Sequence, residues 1–276
     1  MLTPLKRIGG KAAIARWIIR CLPVHQNYVE VFGGSAAVLF AKPRPGGVEV
    51  YNDLDGLCTN TLRVIRNDAE RLAAKLAMTP YGRNEFTTAK TMLKGWRKGS
   101  IQIDALELAR LHIIALRQSF AADGAWSTEL DPNRSRLWPK LPMELKSFSA
   151  RLAAVLIEEK DYRDLLPLYD RKDTVYYVDP PYVGKERAYY SVNRRDGFDH
   201  ETLREQLDHV QGSVVVSYYD SEYVRNLYGG WRVEERPVTV DAGLRKRAEK
   251  ELLFIRESEY ARQGRWRLVD LFPDAN

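Results

Sequence analysis

Residues 175–182 read VYYVDPPY, and the last four of them are groups arranged for chemistry. The run Val175–Val178 predicts a buried strand, which must stop at Asp179 because Pro180 and Pro181 have no N–H to give a sheet ladder. The prolines fix the backbone and leave the Pro180 carbonyl beside the Asp179 carboxylate, so two acceptors face one point. The exocyclic amine of a nucleobase suits that point, since it has two N–H donors and a lone pair delocalised into the ring. Acceptors that hold both hydrogens favour a pyramidal nitrogen and free the lone pair for attack. Tyr182 adds a flat face for a base swung out of its helix, a stacking contact worth roughly 1–3 kcal/mol. A rigid strand ending alone would leave a buried Asp179 in need of partners.

Two earlier strand ends carry groups of a related kind. QNYVEVF (26–32) ends in Gly33 and Gly34, and SAAVLFAK continues as a helix with Ser35 near its cap. GVEVYND (47–53) ends in Asp53, and DGLCTNTLRVIRND then shows helical spacing through Leu57, Leu62 and Ile65. A glycine turn lets the backbone approach a ligand closely, and an acid after the next strand accepts both hydroxyls of a ribose. Together they imply a nucleoside-containing cofactor. The turn Phe32-Gly33-Gly34-Ser35-Ala36-Ala37 lacks the G-x-G-x-x-G of dinucleotide binding, which removes most of the support for NAD.

Other chemistries find little footing. His25, His200 and His209 form no i, i+4 metal pair, and His112 lies on an apolar helix face with Leu108, Leu111, Ala115 and Leu116, as a core histidine does. No metal is expected. Cys21 and Cys58 are too few for a disulfide framework and lack zinc-site spacing, so both read as structural thiols in a reducing compartment. The N-terminal stretch holds charges and glycines where a signal peptide needs an apolar run, and no run of about 20 apolar residues follows. The expectation is a cytoplasmic protein with no membrane contact.

The net charge of +6 is unevenly spread. Residues 80–100 and 132–151 each hold +4, 185–195 hold +3 and 243–251 hold +2, which leaves the rest of the chain at −7. Trp96, Phe120, Trp126, Trp138, Tyr189 and Tyr190 lie in or near these stretches, the composition of a surface that tracks phosphates. Lys6, Arg117, Arg134, Arg136, Arg245, Lys246 and Arg247 are candidate DNA contacts. Tyr189, Tyr190 and Phe198 are candidates for closing over a flipped base.

The elements that must position these residues alternate at first as strand, helix, strand, helix. Residues 66–157 break the alternation. AERLAAKLA and DALELARLHIIALRQSF look helical, with Gly-, Pro- and Arg-rich loops between and after them, which predicts an inserted, mainly helical subdomain. Strands return at 155–159, 175–179, 213–219, 231–240 and 250–257, with a helix at 200–210 and the last two strands an antiparallel hairpin around the loop DAGLRKRAE. The fold class is α/β, a mixed sheet with helices on both faces: 1–65 and 151–276 form the catalytic domain and 66–150 the insertion. Ligands of such sheets bind beyond the C-terminal ends of the strands, so Gly33-Gly34, Asp53 and Asp179 converge on one crevice.

At this point the chain resembles the Dam-type, D12 class of DNA adenine-N6 methyltransferases. PLKRIGGK (4–11) is similar to the family's N-terminal cofactor motif, YVEVFGGSAAVLF (28–40) to its glycine motif, VYNDLD (50–55) to its ribose acid, and DPPY to its catalytic motif. LRQSFAADGAW (116–126) resembles its recognition segment, and SVVVSYYDSEYVRNLYGGW (213–231) its later strand and helix. The resemblance implies a Rossmann-like methyltransferase sheet, S-adenosyl-L-methionine as cofactor, double-stranded DNA as partner, and target recognition by the insertion. It also implies a possible separate restriction endonuclease, since the chain has no recognisable nuclease motif. Position by position, it implies that Arg7, Lys11, Phe32, Gly33, Gly34, Ser35 and Asp53 contact the cofactor, with Asp161 on its adenine, and that Asp179, Pro180, Pro181 and Tyr182 form the catalytic centre, Asp179 also facing the cofactor. Arg7 replaces an aromatic residue and Ala36 a glycine of the family pattern, and Ala36 is expected to adopt ordinary backbone angles. Alternatives are methylation of a base amine in RNA and a non-catalytic DNA-binding relative. Oligomeric state is not legible.

Overall fold

The computed structural model describes residues 3–6, 9–119, 126, 132–183, 198–242 and 245–264, with backbone alone at 132–134, 240–242 and 245–246. Its centre is a seven-stranded sheet in the order β3-β2-β1-β4-β5-β7-β6. The strands are β1 (Asn27–Glu30), β2 (Glu49–Asn52), β3 (Val155–Glu158), β4 (Thr174–Val178), β5 (Ser213–Tyr219), β6 (Arg232–Ala242) and β7 (Arg245–Arg256). The first five run parallel, and β7 pairs antiparallel with both β5 and β6. Pro237 is tolerated because β6 is an edge strand, where a missing N–H breaks no second ladder.

Side chains of the central strands alternate between two cores, as a pleated strand requires. Val175 and Tyr177 enter one cluster, Tyr176 and Val178 the other; Leu253 and Ile255 likewise oppose Leu252 and Phe254. The second core is covered by α8 (Tyr162–Leu168), α9 (His200–His209) and α10 (Glu222–Leu227).

The first core is covered by α1 (Ala15–Cys21), α2 (Ala37–Ala41), α3 (Gly56–Ala77), α4 (Arg83–Arg97), α5 (Ala105–Arg117) and α7 (Lys140–Leu152), with α6 (Pro132–Leu137) leading into α7. Helix α3 leaves helical geometry at Asp68 (φ −145°, ψ 37°), so the boundary expected at 65/66 falls inside this helix, just before its kink. Leu72, Leu93, Leu111 and Leu145 from 66–150 share one apolar cluster with Tyr28 and Val175 of the sheet. A short helix, α11 (Glu259–Gln263), follows β7.

Two expectations about loops are corrected. Residues 83–97 and 140–152 are helices, each fixed by an apolar stripe: Phe86, Ala89 and Leu93 in α4, and Leu141, Leu145, Phe148 and Leu152 in α7. Pro142 lies in the first turn of α7, where its missing N–H costs no intrahelical bond. The stretch 241–249 is mostly strand, since the β6–β7 ladder continues through Val240↔Arg247 to Ala242↔Arg245. Because β5 pairs only with Glu251–Arg256, the outer half of this hairpin projects beyond the sheet edge at which β5 ends.

Candidate active site

With β1 to β5 parallel, Gly33-Gly34, Asp53, Asp161 and Asp179 all follow C-terminal strand ends on one edge. The chain departs from β1 in both directions, to β2 and to β4, and a crevice opens at that switch point.

The glycine turn is built by close contacts. A Cβ on Gly33 would come within 2.1 Å of the Tyr51 ring, and the Tyr51 hydroxyl donates to the Gly34 carbonyl at 2.9 Å. Gly34 (φ 48°) and Ala36 (φ 54°) are both left-handed. This corrects the expectation for Ala36: it keeps the backbone conformation that glycine favours and bears the steric cost of its methyl, about 1 kcal/mol. Ser35 is buried in the same turn. Asp53 fastens the turn to the next one, accepting from Gly34 N at 2.7 Å through Oδ2 and from Asp55 N at 2.8 Å through Oδ1.

Beside Asp53 lies a small cleft lined by Phe32, Asn52, Leu54, Asp161, Tyr162 and Phe198. Phe32, Tyr162 and Phe198 form an aromatic trio with ring centroids 5.7–5.9 Å apart. Phe198 thus walls this cleft, an assignment different from closing over a base. Asp161 caps α8 by accepting from Arg163 N at 3.1 Å, and the Arg163 guanidinium grips it through Nε (2.8 Å) and Nη2 (2.9 Å). Aromatic walls with the carboxylates of Asp161 and the adjacent Asp53 fit an adenosine group.

The catalytic candidates meet at the end of β4. Asp179 Oδ1 accepts from Ser217 Oγ at 2.9 Å and pairs with Lys11 Nζ at 3.0 Å, and Ser217 is itself hydrogen-bonded to Tyr177 Oη at 3.2 Å. The contacts that Asp179 makes with described residues run through Oδ1, and its side chain is 20% exposed at the C-terminal end of β4. Lys11 also donates to Gly9 O at 3.1 Å, pairs with Glu251 Oε1 at 3.4 Å and lies 4.7 Å over the Tyr182 ring. Burial opposes its charge, but Asp179 and Glu251 outweigh burial and hold the ammonium well above the usual lysine range.

Tyr182 is enclosed rather than open. It is 8% exposed, its hydroxyl donates to Glu251 Oε1 at 2.5 Å, and Tyr219 meets it edge-on at 4.5 Å. Burial raises the Glu251 carboxyl, while Lys11 draws it part of the way back. Glu30, the buried acid of β1, is pushed up to about 8 by burial, although Tyr28 Oη (2.9 Å) and Leu39 N (3.0 Å) donate to it. Ser217, Glu251 and Glu30 were not legible as site residues, each standing inside an apolar strand sequence with no local punctuation.

The remaining candidates divide. Lys6, Arg136 and Arg247 are exposed, Arg247 paired with Glu249 at 2.9 Å. Arg117 is turned inward: it donates to Pro4 O at 3.3 Å, and burial pushes its guanidinium down to about 10. Arg134, Arg245 and Lys246 are described by backbone only, and Arg7, Tyr189 and Tyr190 lie outside the described residues. His112 is a buried partner of Thr61 Oγ1 at 2.8 Å, and neither cysteine is in a disulfide. No helix among the described residues is long and apolar enough to cross a membrane, and no group of three or more His, Cys, Asp or Glu there is placed to hold a metal.

The strand order is that of a Rossmann-like sheet, consistent with the fold of S-adenosylmethionine-dependent methyltransferases. The sequence matches the D12 class N6 adenine-specific DNA methyltransferase family over residues 8–240, and the chain belongs to that family. It is an enzyme that methylates adenine at N6 at specific sites in DNA. No curated relative matches the chain.

Proposed function

We propose that the crevice binds S-adenosylmethionine through the glycine turn, Asp53 and the Asp161 cleft, and that Asp179 with Pro180 holds the N6 amine of an adenine flipped out of duplex DNA. The observation that supports this reading is the Asp179 carboxylate at the C-terminal end of β4, partly exposed and with Oδ1 fixed by Ser217 and Lys11. A pre-set acceptor costs no reorganisation when the amine arrives, and orientation of two bound reactants is the main lever for such a transfer.

S-adenosylmethionine, when bound, supplies an electrophilic methyl group: the amine lone pair forms the N–C bond, the C–S electron pair stays on sulfur, and the amine then loses one proton. Asp179 Oδ2 and the Pro180 carbonyl take the two N–H donors, and Tyr182 walls the pocket. The proton leaves to Asp179 or to water. The helices of 66–150 read the DNA sequence, and flipping costs a few kcal/mol that pocket contacts recover. A restriction endonuclease encoded elsewhere is the partner such an activity would protect against.

Incubation with unmethylated genomic DNA and S-adenosylmethionine, followed by single-molecule sequencing, tests this. The expected result is N6-methyladenine at one recurring sequence. Asp179→Ala is expected to retain cofactor binding within about threefold and to lose methyl transfer by at least about 1000-fold. Turnover retained by that variant would sink the assignment, and methylation confined to structured RNA would redirect it.

A further inference from the structure

The buried centre holds three charged groups, Lys11, Asp179 and Glu251, of which Glu251 has no part yet in the reaction assigned above. Its carboxylate is 2% exposed and stands on β7, opposite Tyr219 of β5, at the base of the projecting hairpin. A single oxygen, Oε1, faces both the Tyr182 hydroxyl at 2.5 Å and the Lys11 ammonium at 3.4 Å. Both are donors, and a carboxylate is the form of the side chain that only accepts. The other groups near it are Asp179, which pairs with the same ammonium at 3.0 Å, and the Tyr219 ring against Tyr182.

Asp179 and Glu251 give two negative charges and Lys11 one positive, so the cluster carries one net negative charge in a largely buried site. A buried charge without a counter-charge is costly. The reaction assigned above brings a cation to this site and moves its positive charge from sulfur to nitrogen. Lys11 neutralises one carboxylate and leaves the other uncompensated.

We propose that Glu251 is a positioning residue of the methyl-transfer centre: it holds Tyr182 and Lys11 in place, and its charge makes the site select a positively charged sulfonium over a neutral thioether. The inference rests on the proposed cofactor, and its test separates the two. Calorimetric titration compares S-adenosylmethionine with S-adenosylhomocysteine, which share adenine, ribose and amino-acid contacts and differ at sulfur. In Glu251→Gln the ratio of the two affinities should shift against S-adenosylmethionine by at least about tenfold, the Coulomb effect of one charge within roughly 12 Å at an effective dielectric near 20. Sinefungin, neutral at sulfur's position only when its amine is unprotonated, should follow S-adenosylmethionine at neutral pH.

Equal losses for the charged and neutral ligands would reduce Glu251 to a structural role and overturn the proposal, as would no change. Should Glu251→Gln fail to fold by its melting curve, Lys11→Gln tests the same charge with opposite sign: the ratio must rise, and a ratio that stays or falls overturns it. If the wild type binds neither ligand, the cofactor assignment itself fails.

Discussion

Glu30 shows how one residue sets a pH dependence without touching a substrate. Its carboxyl is pushed from an ordinary 4.5 up to about 8, chiefly by burial. The folded protein therefore keeps a proton that the unfolded chain releases, so this group's contribution to stability is fully present below about 4.5 and is lost as pH rises through about 8. Glu30→Gln keeps an acceptor for the Tyr28 hydroxyl and the Leu39 N–H but cannot ionise. Its melting temperature should match the wild type near pH 5 and exceed it by at least about 3 °C at pH 9. Melting curves for the two proteins that fall in parallel over this range would place the dependence elsewhere. Asp179 was legible because two prolines punctuate its strand. Ser217 and Glu251 were not, because SVVVSYY and KELLFIRE read as core strands in which a lone polar residue has no local marker.

At the scale of elements, the glycine turn between β1 and α2 is fixed by one steric fact. Gly33 lies against the Tyr51 ring, whose hydroxyl holds Gly34, whose N–H in turn holds Asp53. Gly33→Ala must displace either the ring or the turn, and both routes break that chain of contacts. The expected cost is about 2 kcal/mol or more in denaturant unfolding, with cofactor affinity reduced at least tenfold by titration. Unfolding and affinity at wild-type levels would mean that the turn is softer than its contacts imply. The strands were readable from their apolar runs and the glycine and acid after them. Helices α4 and α7 were hidden because Thr, Gly and Pro lower local propensity, while the stripes Phe86–Leu93 and Leu141–Leu152 are short and interrupted by basic residues. The hairpin ends were hidden because their basic sequence looks like a solvated loop, whereas cross-strand pairing extends them.

For the molecule as a whole, the charge segregation seen in the sequence acquires a direction. Arg97, in the last turn of α4, pairs with Asp55 at 3.3 Å, and Asp55 follows Asp53 at the site edge of the sheet. The C-terminal end of α4 is therefore beside the crevice, and Lys94 and Lys98 flank Arg97 there with exposed side chains. The β6–β7 hairpin projects from the same edge and carries Arg247. A duplex laid across that edge would meet α4 on one side and the hairpin on the other, with the target base over Asp179. If Lys94 and Lys98 each neutralise one phosphate, Lys94→Gln with Lys98→Gln removes two released counterions. The slope of log K against log salt should then become shallower by roughly 1.8 for B-DNA. Duplex affinity near 0.1 M salt should fall at least about tenfold, while S-adenosylmethionine affinity stays within twofold. Fluorescence anisotropy across a salt series checks this. An unchanged slope would remove α4 from the DNA path and leave the hairpin and the untested part of the insertion to supply the contacts.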